Sequence, residues 1–343
     1  MRILIVSDAW SPQVNGVVTC LRALVSELEA LGHEVCLLSP ADFRSRPCPT
    51  YPEIRLSWDL WRVGGKIRAF APDCVHLATE GPLGWAARRW LGRRGWAFTS
   101  AIHTRFPEYL STRWRWLPLA IGYAFLRRFH APSAAVLVSS ERMRQAFAER
   151  GVAHLALWRK GVDVGVFQPN VFPRGDAVFL YVGRLAPEKN LEAFLRLDLP
   201  GRKRVVGDGP QRAELQARYP QVEFLGYRYG VELAEAYRSA SVLVFPSLTD
   251  TLGLVMYEAL ACGTPVAAFP VAGPLDVLIE GRTGALDTDL RNACLRALAL
   301  DRRDCARWAA EQSWRVSAQQ FLALQRALVE RPPCRADALP VSD

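Results

Sequence analysis

The sequence predicts an α/β protein built from two doubly wound, parallel-sheet domains, and three observations carry that reading. Short apolar runs of strand length alternate with longer segments of helical spacing, the alternation that produces βαβ units. The pattern starts at residue 2 and starts again at Val178–Val182. Between the two starts, residues 161–176 contain Gly161, Gly165, Pro169, Pro173 and Gly175, the composition of a linker. A chain of 343 residues, half of them hydrophobic, can bury a core in each part.

The elements follow in order. Residues 2–7 form a first strand, and Pro12-Gln13-Val14-Asn15-Gly16 a turn. Val17, Val18, Leu21, Leu24, Val25, Leu28 and Leu31 then keep helical spacing up to Gly32, and 35–38 is the next strand. In the second part, strands are expected at Val178–Val182, 204–206, 222–225, Val242–Phe245 and 266–269. The amphipathic segment Trp314–Val329 closes the fold. This gives an N-terminal domain at 1–165 and a C-terminal domain at 166–312. A helix at 313–330 is expected to pack back toward the first domain, and 331–343, rich in Pro and Asp, is expected to be a disordered tail.

Composition narrows the function classes. Asp8 arrives too early for a signal-peptide core, and the uncharged run 117–126 contains a proline and is too short to span a bilayer. The eight cysteines lack C-x-x-C spacing and nearby His pairs, which speaks against a zinc site or a disulfide framework and for a reducing cytoplasm. The net charge of +9 is unevenly placed. Residues 1–160 carry 22 basic and 12 acidic residues and nine of the eleven Trp, whereas 161–343 carry 21 basic and 22 acidic. Arg beside Trp, as in Arg113-Trp114-Arg115-Trp116, suits an anionic membrane surface or nucleic acid. It equally suits a plain Arg-rich composition, since 39 of the 43 basic residues are Arg.

Ligands of doubly wound sheets bind beyond the carboxyl ends of the strands, so the strand-to-loop junctions are where chemistry is expected. After Val178–Val182 comes Gly183-Arg184-Leu185-Ala186-Pro187-Glu188-Lys189-Asn190, in which Arg184 and Lys189 flank a turn that opens a helix. That setting suits an anionic diphosphate, or two solvated cations. Gly207-Asp208-Gly209-Pro210 is a tight turn that allows a base or ribose close approach, a weak signal alone. The third junction runs from Pro246 through Asp250, Thr251, Leu252, Gly253 and Leu254 to Glu258. A helix opening near Gly253 presents free N–H groups and the positive dipole end, and places Glu258 where a carboxylate can accept from two ribose hydroxyls. For both acids a capping role is the alternative.

The first domain offers weaker signals. The glycine of Asn15-Gly16 either brings a backbone N–H to a phosphate or belongs to an ordinary turn. His103 and Glu80 each end a strand-like run, and either role, structural or functional, fits them.

Taken together, residues 1–330 resemble family 4 retaining glycosyltransferases, whose fold is the two-domain GT-B arrangement of Rossmann-like domains facing a central cleft. The resemblance rests on Gly183-Arg184…Glu188-Lys189-Asn190, on Gly207-Asp208-Gly209-Pro210, and on Asp250…Glu258-Ala259-Leu260-Ala261-Cys262-Gly263-Thr264-Pro265-Val266. Pro12-Gln13-Val14-Asn15-Gly16-Val17 and His103-Thr104-Arg105-Phe106-Pro107-Glu108-Tyr109 are similar to the bacterial mannosyltransferases and glycolipid synthases of that family.

The resemblance implies that Arg184 and Lys189 hold the donor diphosphate with Gly183 nearby, and that Glu258 holds the ribose. It implies that Asp250 and the N–H groups of Thr251, Leu252, Gly253 and Leu254 hold the transferred sugar. Asn15 and Gly16 would approach the diphosphate from the other domain, and His103 would lie beside the sugar. The implied reaction moves a hexose from a nucleotide diphosphate sugar to a lipid or glycan acceptor with retention, without metal or cofactor. An inverting reaction would instead turn attention to Asp8 or His103 as general base. One position departs from the family pattern, which has Glu where this chain has Asp250. A cytoplasmic protein is expected, with candidate peripheral contact on the inner face of an anionic membrane and no nucleic-acid partner. Two other classes fit the same grip: a sugar-nucleotide epimerase or phosphorylase, and a non-catalytic nucleotide-sugar binding protein.

Overall fold

The computed structural model describes residues 1–11, 13, 15–48, 55–103, 118–170, 175–250 and 252–329. Pro12, Val14, 104–117, Thr251 and the tail expected at 331–343 lie outside the described residues. The chain divides into two compact units, Met1–Arg159 with Ser317–Asp343, and Lys160–Val316. The division falls a few residues before the boundary read from the Gly/Pro-rich stretch. The chain returns to the first unit within the helix Trp314–Val329.

The first unit is built on six strands: β1 (Arg2–Val6), β2 (Glu34–Leu38), β5 (Cys74–Leu77), β6 (Thr99–Ala101), β7 (Ala135–Val138) and β8 (Leu155–Leu157). A small antiparallel ribbon joins β3 (Ser45–Pro47) to β4 (Arg55–Ser57). The main sheet has the order β2-β1-β5-β6-β7-β8, and every pair is parallel. A parallel sheet covered on both faces buries alternate side chains equally, so its strands are continuously apolar. Ile3, Leu4, Ile5 and Val6 are accordingly all inaccessible to solvent.

The helix Gly16–Ala30 follows β1, and Asn15 is its cap, accepting from the N–H groups of Val17 and Val18 at 3.0 Å each. Asn15-Gly16 is therefore a helix start and not a tight turn: Gly16 is the first helical residue and needs no left-handed backbone.

The second unit repeats the plan with β9 (Val178–Val182), β10 (Arg202–Val206), β11 (Glu223–Phe224), β12 (Val242–Phe245), β13 (Val266–Ala268) and β14 (Gly284–Leu286). The order is β11-β10-β9-β12-β13-β14, again parallel throughout. Winding runs outward from β9 to β11, then returns to β12 on the other side of β9. The switch point lies between β9 and β12, and in the first unit between β1 and β5. Crevices at such points are where these sheets take ligands.

A buried cation ties the second unit together. Arg302 opens the helix Arg302–Ala310 and is only 7% exposed. Its guanidinium donates to the carbonyls of Asn170 (2.7 Å), Ala240 (2.6 Å), Arg238 (3.2 Å) and Cys262 (3.4 Å) and to Thr264 Oγ1 (3.0 Å). These acceptors cluster where the helices Gly230–Ser239 and Leu254–Ala261 end, the negative ends of two helix dipoles. Among the described residues, the acceptors of this guanidinium are all neutral oxygens. Removing it strands several buried carbonyls at once, each costing roughly 1–3 kcal/mol. Arg302→Leu is expected to lower the unfolding free energy by about 3 kcal/mol or more. Urea denaturation reads this as a lower midpoint.

Candidate functional site

The loops leaving β9 and β12 lie side by side because their strands are neighbours. Three contacts zip them together. Lys189 Nζ donates to Asp250 Oδ1 at 2.6 Å, Asn190 Nδ2 to the Pro246 carbonyl at 3.1 Å, and Thr249 Oγ1 to the Glu188 carbonyl at 3.3 Å. Asn190 adopts a left-handed backbone (φ 52°), which turns the short 3-10 segment Pro187–Lys189 into the helix Leu191–Leu195. Lys189 and Asp250, assigned on sequence grounds to different parts of a ligand, are therefore paired with each other. Arg184 stands apart: its side chain is exposed and, among the described residues, pairs with no carboxylate. Its carbonyl accepts from the buried Tyr181 hydroxyl at 2.9 Å, which sets the loop's course.

Backbone closeness explains the glycines. A Cβ at Gly207 would stand 1.9 Å from the Gly183 carbonyl oxygen, and one at Gly183 would stand 2.9 Å from the Tyr181 hydroxyl. Both glycines also have positive φ. The turn at 207–210 thus packs backbone to backbone on the loop of β9. Asp208 is engaged within that turn: it accepts from Gly209 N–H at 2.7 Å and from Arg212 at 2.6 Å, and these bonds lower its pKa. Its carboxylate secures the turn.

The helix Leu254–Ala261 begins at Gly253, whose φ of 73° and missing side chain are both needed. A Cβ there would meet Phe245 at 2.8 Å and Met256 at 3.1 Å. A glycine cap supplies no side-chain acceptor; the Met256 N–H donates to the Gly253 carbonyl at 3.0 Å, while the N–H groups of Leu254 and Val255 are given no acceptor by the cap and suit a ligand. Leu252 is buried beneath the loop, and Thr251 lies outside the described residues. Glu258 is partly exposed as a residue, but its carboxyl group sits at depth. Burial pushes its pKa up to about 7, against the opposing pull of a hydrogen bond from Tyr237 Oη to Oε2 at 2.8 Å.

In the first unit the loops of β1 and β5 meet at the switch point. Asp8 Oδ1 accepts from Leu83 N–H (2.8 Å) and Oδ2 from Gly84 N–H (3.2 Å) and Thr79 Oγ1 (3.0 Å). It caps the helix Pro82–Gly92 from a distance, because the cap residue Gly81 has no side chain to do so. A Cβ on Gly81 would collide with Asp8 at 2.3 Å. Burial raises the Asp8 pKa. Glu80 Oε1 lies 3.3 Å from His130 Nε2, and His130 Nδ1 lies 2.7 Å from Ser100 Oγ. His103 sits just past β6, with its ring edge-on to Trp158 at 5.8 Å. Trp158 in turn packs on Phe321, from the helix Trp314–Val329, at 5.4 Å.

Of the sequence-predicted groups, Gly183, Arg184, Lys189, Asp250, Gly253 and Glu258 follow β9 and β12 at the switch point of the second unit, and Gly207 and Asp208 follow the neighbouring β10; in the first unit Asn15 and Gly16 follow β1, and His103 follows β6. Sequence reading passed over Tyr181, Tyr237 and Arg302, whose apolar or surface-charge signals hide the contacts they make. Among the described residues, no group of three or more His, Cys, Asp or Glu is placed to hold a metal ion.

Residues 14–166 match the family described as Glycosyltransferase Family 4, and residues 176–299 match Glycosyl transferases group 1. A GDP-mannose-dependent alpha-mannosyltransferase of Mycobacterium tuberculosis is 32% identical over 315 residues, covering 83% of each chain. The chain belongs to glycosyltransferase family 4. An alpha-monoglucosyldiacylglycerol synthase of Streptococcus pneumoniae is 25% identical, over 94% of this chain and 83% of its own. The sucrose-phosphate synthase structure from Thermosynechococcus elongatus matches with a TM-score of 0.75 at 23% identity, over 95% of this chain and 98% of that one. That likeness, with two six-stranded parallel sheets, identifies the GT-B fold of this family 4 glycosyltransferase.

The depth of Glu258 has a measurable consequence. An acid whose folded pKa lies above its unfolded value of roughly 4.3 holds its proton more tightly when folded. Its destabilising contribution is absent below that pH and grows as pH rises to about 7. Glu258→Gln should therefore leave stability unchanged near pH 4 and raise it at pH 8 by up to about 3 kcal/mol. Urea unfolding at the two pH values checks this, and equal effects at both would refute it.

Proposed function

We propose that this family 4 glycosyltransferase moves a hexose of mannose or glucose type from a nucleoside diphosphate to a lipid or glycan acceptor, with retention of anomeric configuration, in cell-envelope glycolipid or polysaccharide synthesis. One observation supports it above the others. An exposed guanidinium, a lysine paired to an acid, a glycine-capped helix start and a deep carboxylate all stand at the ends of β9 and β12. Cations and helix N–H groups suit a diphosphate, and carboxylates suit hydroxyls. The names of the mycobacterial and streptococcal relatives support the sugar and acceptor classes.

In the reaction, the bond from the anomeric carbon to the β-phosphate oxygen breaks and a bond to the acceptor oxygen forms on the same face. The departing phosphate oxygen takes the acceptor proton. Charge grows on the diphosphate as it leaves, and Arg184, Lys189 and the helix start at Gly253 meet it, so no metal is required. Asp250 holds sugar hydroxyls, Glu258 holds the ribose, and His103 lies beside the sugar. Asn15 caps its helix while Gly16 leaves the backbone open to a phosphate.

The basic first unit docks on an anionic membrane surface. Leu119, Ile121 and Phe125 are exposed on the helix Leu119–His130, whose last turn carries Arg127 and Arg128. Trp58 and Trp61 are exposed elsewhere on the same unit. No helix among the described residues is long and apolar enough to cross a membrane.

A thermal-shift panel of GDP, UDP and their sugars should give a selective rise with one nucleotide. Proton NMR of the product should show the donor's anomeric configuration, with EDTA leaving the rate unchanged. An inverted product, or isomerised or phosphorolysed sugar from donor alone, would overturn the assignment. Lys189→Ala should cost roughly 100-fold in kcat/KM, the scale for one donor to a developing charge. Asp250→Glu should retain transfer and alter the ratio of rates between mannose and glucose donors; an unchanged ratio removes Asp250 from the sugar site. Binding to anionic vesicles should weaken with salt, and binding no better than to neutral vesicles would remove the docking surface.

A further inference from the structure

Glu258 and Tyr237 form a pair that the functional assignment leaves half explained. Tyr237 is completely buried on the helix Gly230–Ser239 and donates its phenol hydrogen to Glu258 Oε2 at 2.8 Å. Among the described residues, Oε1 of the same carboxylate has no hydrogen-bond partner. A carboxylate offers about four acceptor positions, and a single neutral donor satisfies one. Oε1 is not sealed in the interior, so it stays open to accept from a ligand.

The tyrosine has no freedom to wander. Its carbonyl accepts from Thr264 Oγ1 at 2.7 Å, and the same Oγ1 accepts from the buried Arg302 at 3.0 Å. Its ring meets Phe167 edge-on at 6.0 Å. Burial and the neighbouring Glu258 both raise the phenol's pKa well above its ordinary value, so the hydroxyl stays a donor. The titratable groups facing this pair are few. Tyr237 senses the Cys262 thiol, and that thiol faces Arg238, Arg302 and Glu235.

We infer that Tyr237 is a positioning residue for donor binding: it pins Oε2 of Glu258 so that Oε1 is held out to the hydroxyl pair of a nucleotide ribose. The inference rests on Glu258 being the ribose ligand. A pinned carboxylate offers one rotamer to the ligand, so less freedom is lost on binding. The tyrosine's hydrogen bond favours the ionised carboxylate, which is the form that accepts from two hydroxyls.

The test is the Tyr237→Phe variant, which removes one oxygen atom and keeps the ring. Affinities for GDP, UDP and their 2′,3′-dideoxy forms are measured by calorimetry from pH 6 to pH 8, together with donor KM and kcat. The variant should bind the ribonucleotide roughly tenfold more weakly, on the scale of one hydrogen bond to a charged group. Its affinity for the 2′,3′-dideoxy form should hardly change, the loss should appear in KM more than in kcat, and the pH at which ribonucleotide affinity changes should move upward. Equal weakening of both forms, or an unmoved pH profile, marks a merely structural tyrosine and overturns the inference. Glu258→Gln separates the two layers. If it leaves the ribose preference intact, the ribose assignment fails; if it removes the preference while Tyr237→Phe does not, only the positioning role fails. Should the Phe variant not fold, NMR of the buried Tyr237 hydroxyl proton in the unaltered protein replaces it. That signal should move with GDP or UDP and stay put with the 2′,3′-dideoxy form; no difference between them overturns the inference.

Discussion

The parallel pairing of β9 with β12, through Phe179 to Val242 and Leu180 to Leu243, is the constraint from which the candidate site follows. These two strands are far apart in sequence, and between them the chain builds the β10 and β11 edge of the sheet. Only their adjacency brings Lys189 within reach of Asp250 and Asn190 within reach of Pro246. The pairing is apolar on both faces, so the hydrophobic effect sets the positions of charged groups it never touches. The polar loops inherit their geometry from the core beneath them.

The other half of the site depends on the lower ends of the helices. Glu258 approaches the crevice from one helix and Tyr237 from another, and a carboxylate can be placed accurately only if those helices keep their spacing. Arg302 holds the two helix ends through four carbonyls and a threonine hydroxyl, and receives compensation for its burial from two helix dipoles. In the first unit Asp8 does the complementary task with the opposite charge, capping the helix Pro82–Gly92 at its positive end. Buried ions here serve as joints between elements.

The fold was largely legible because its strands carry an unambiguous signature. Val178–Val182 and Val242–Phe245 are uninterrupted apolar runs, and parallel strands covered on both faces leave no other pattern. Lys189, Asp250 and Glu258 were readable as a set because strand ends of such sheets are where ligands are held. The specific partners were not readable. Asn15 and Asp208 are residue types that cap turns and helices as well as they bind ligands, and the structure shows both engaged in that way. Tyr237 occupies an interior position of a helical pattern, where an aromatic residue signals packing and its hydroxyl leaves no trace in the spacing. Arg302 looks like one more surface arginine in an arginine-rich chain. Its partners are carbonyls, which every residue has, so no side-chain pattern announces them.

Gly183 and Gly207 touch through their backbones with no room for even a methyl group between them. Two loops joined in this way cannot drift independently: an insertion in one would lift the other, and Gly207 cannot acquire a side chain at the contact. The floor of the crevice is therefore fixed by sterics alone, whatever ligand it serves. Variation in such an enzyme falls on the side chains standing above that floor, where exchanging Asp250 for a longer acid would change the chemistry presented without disturbing the backbone that presents it.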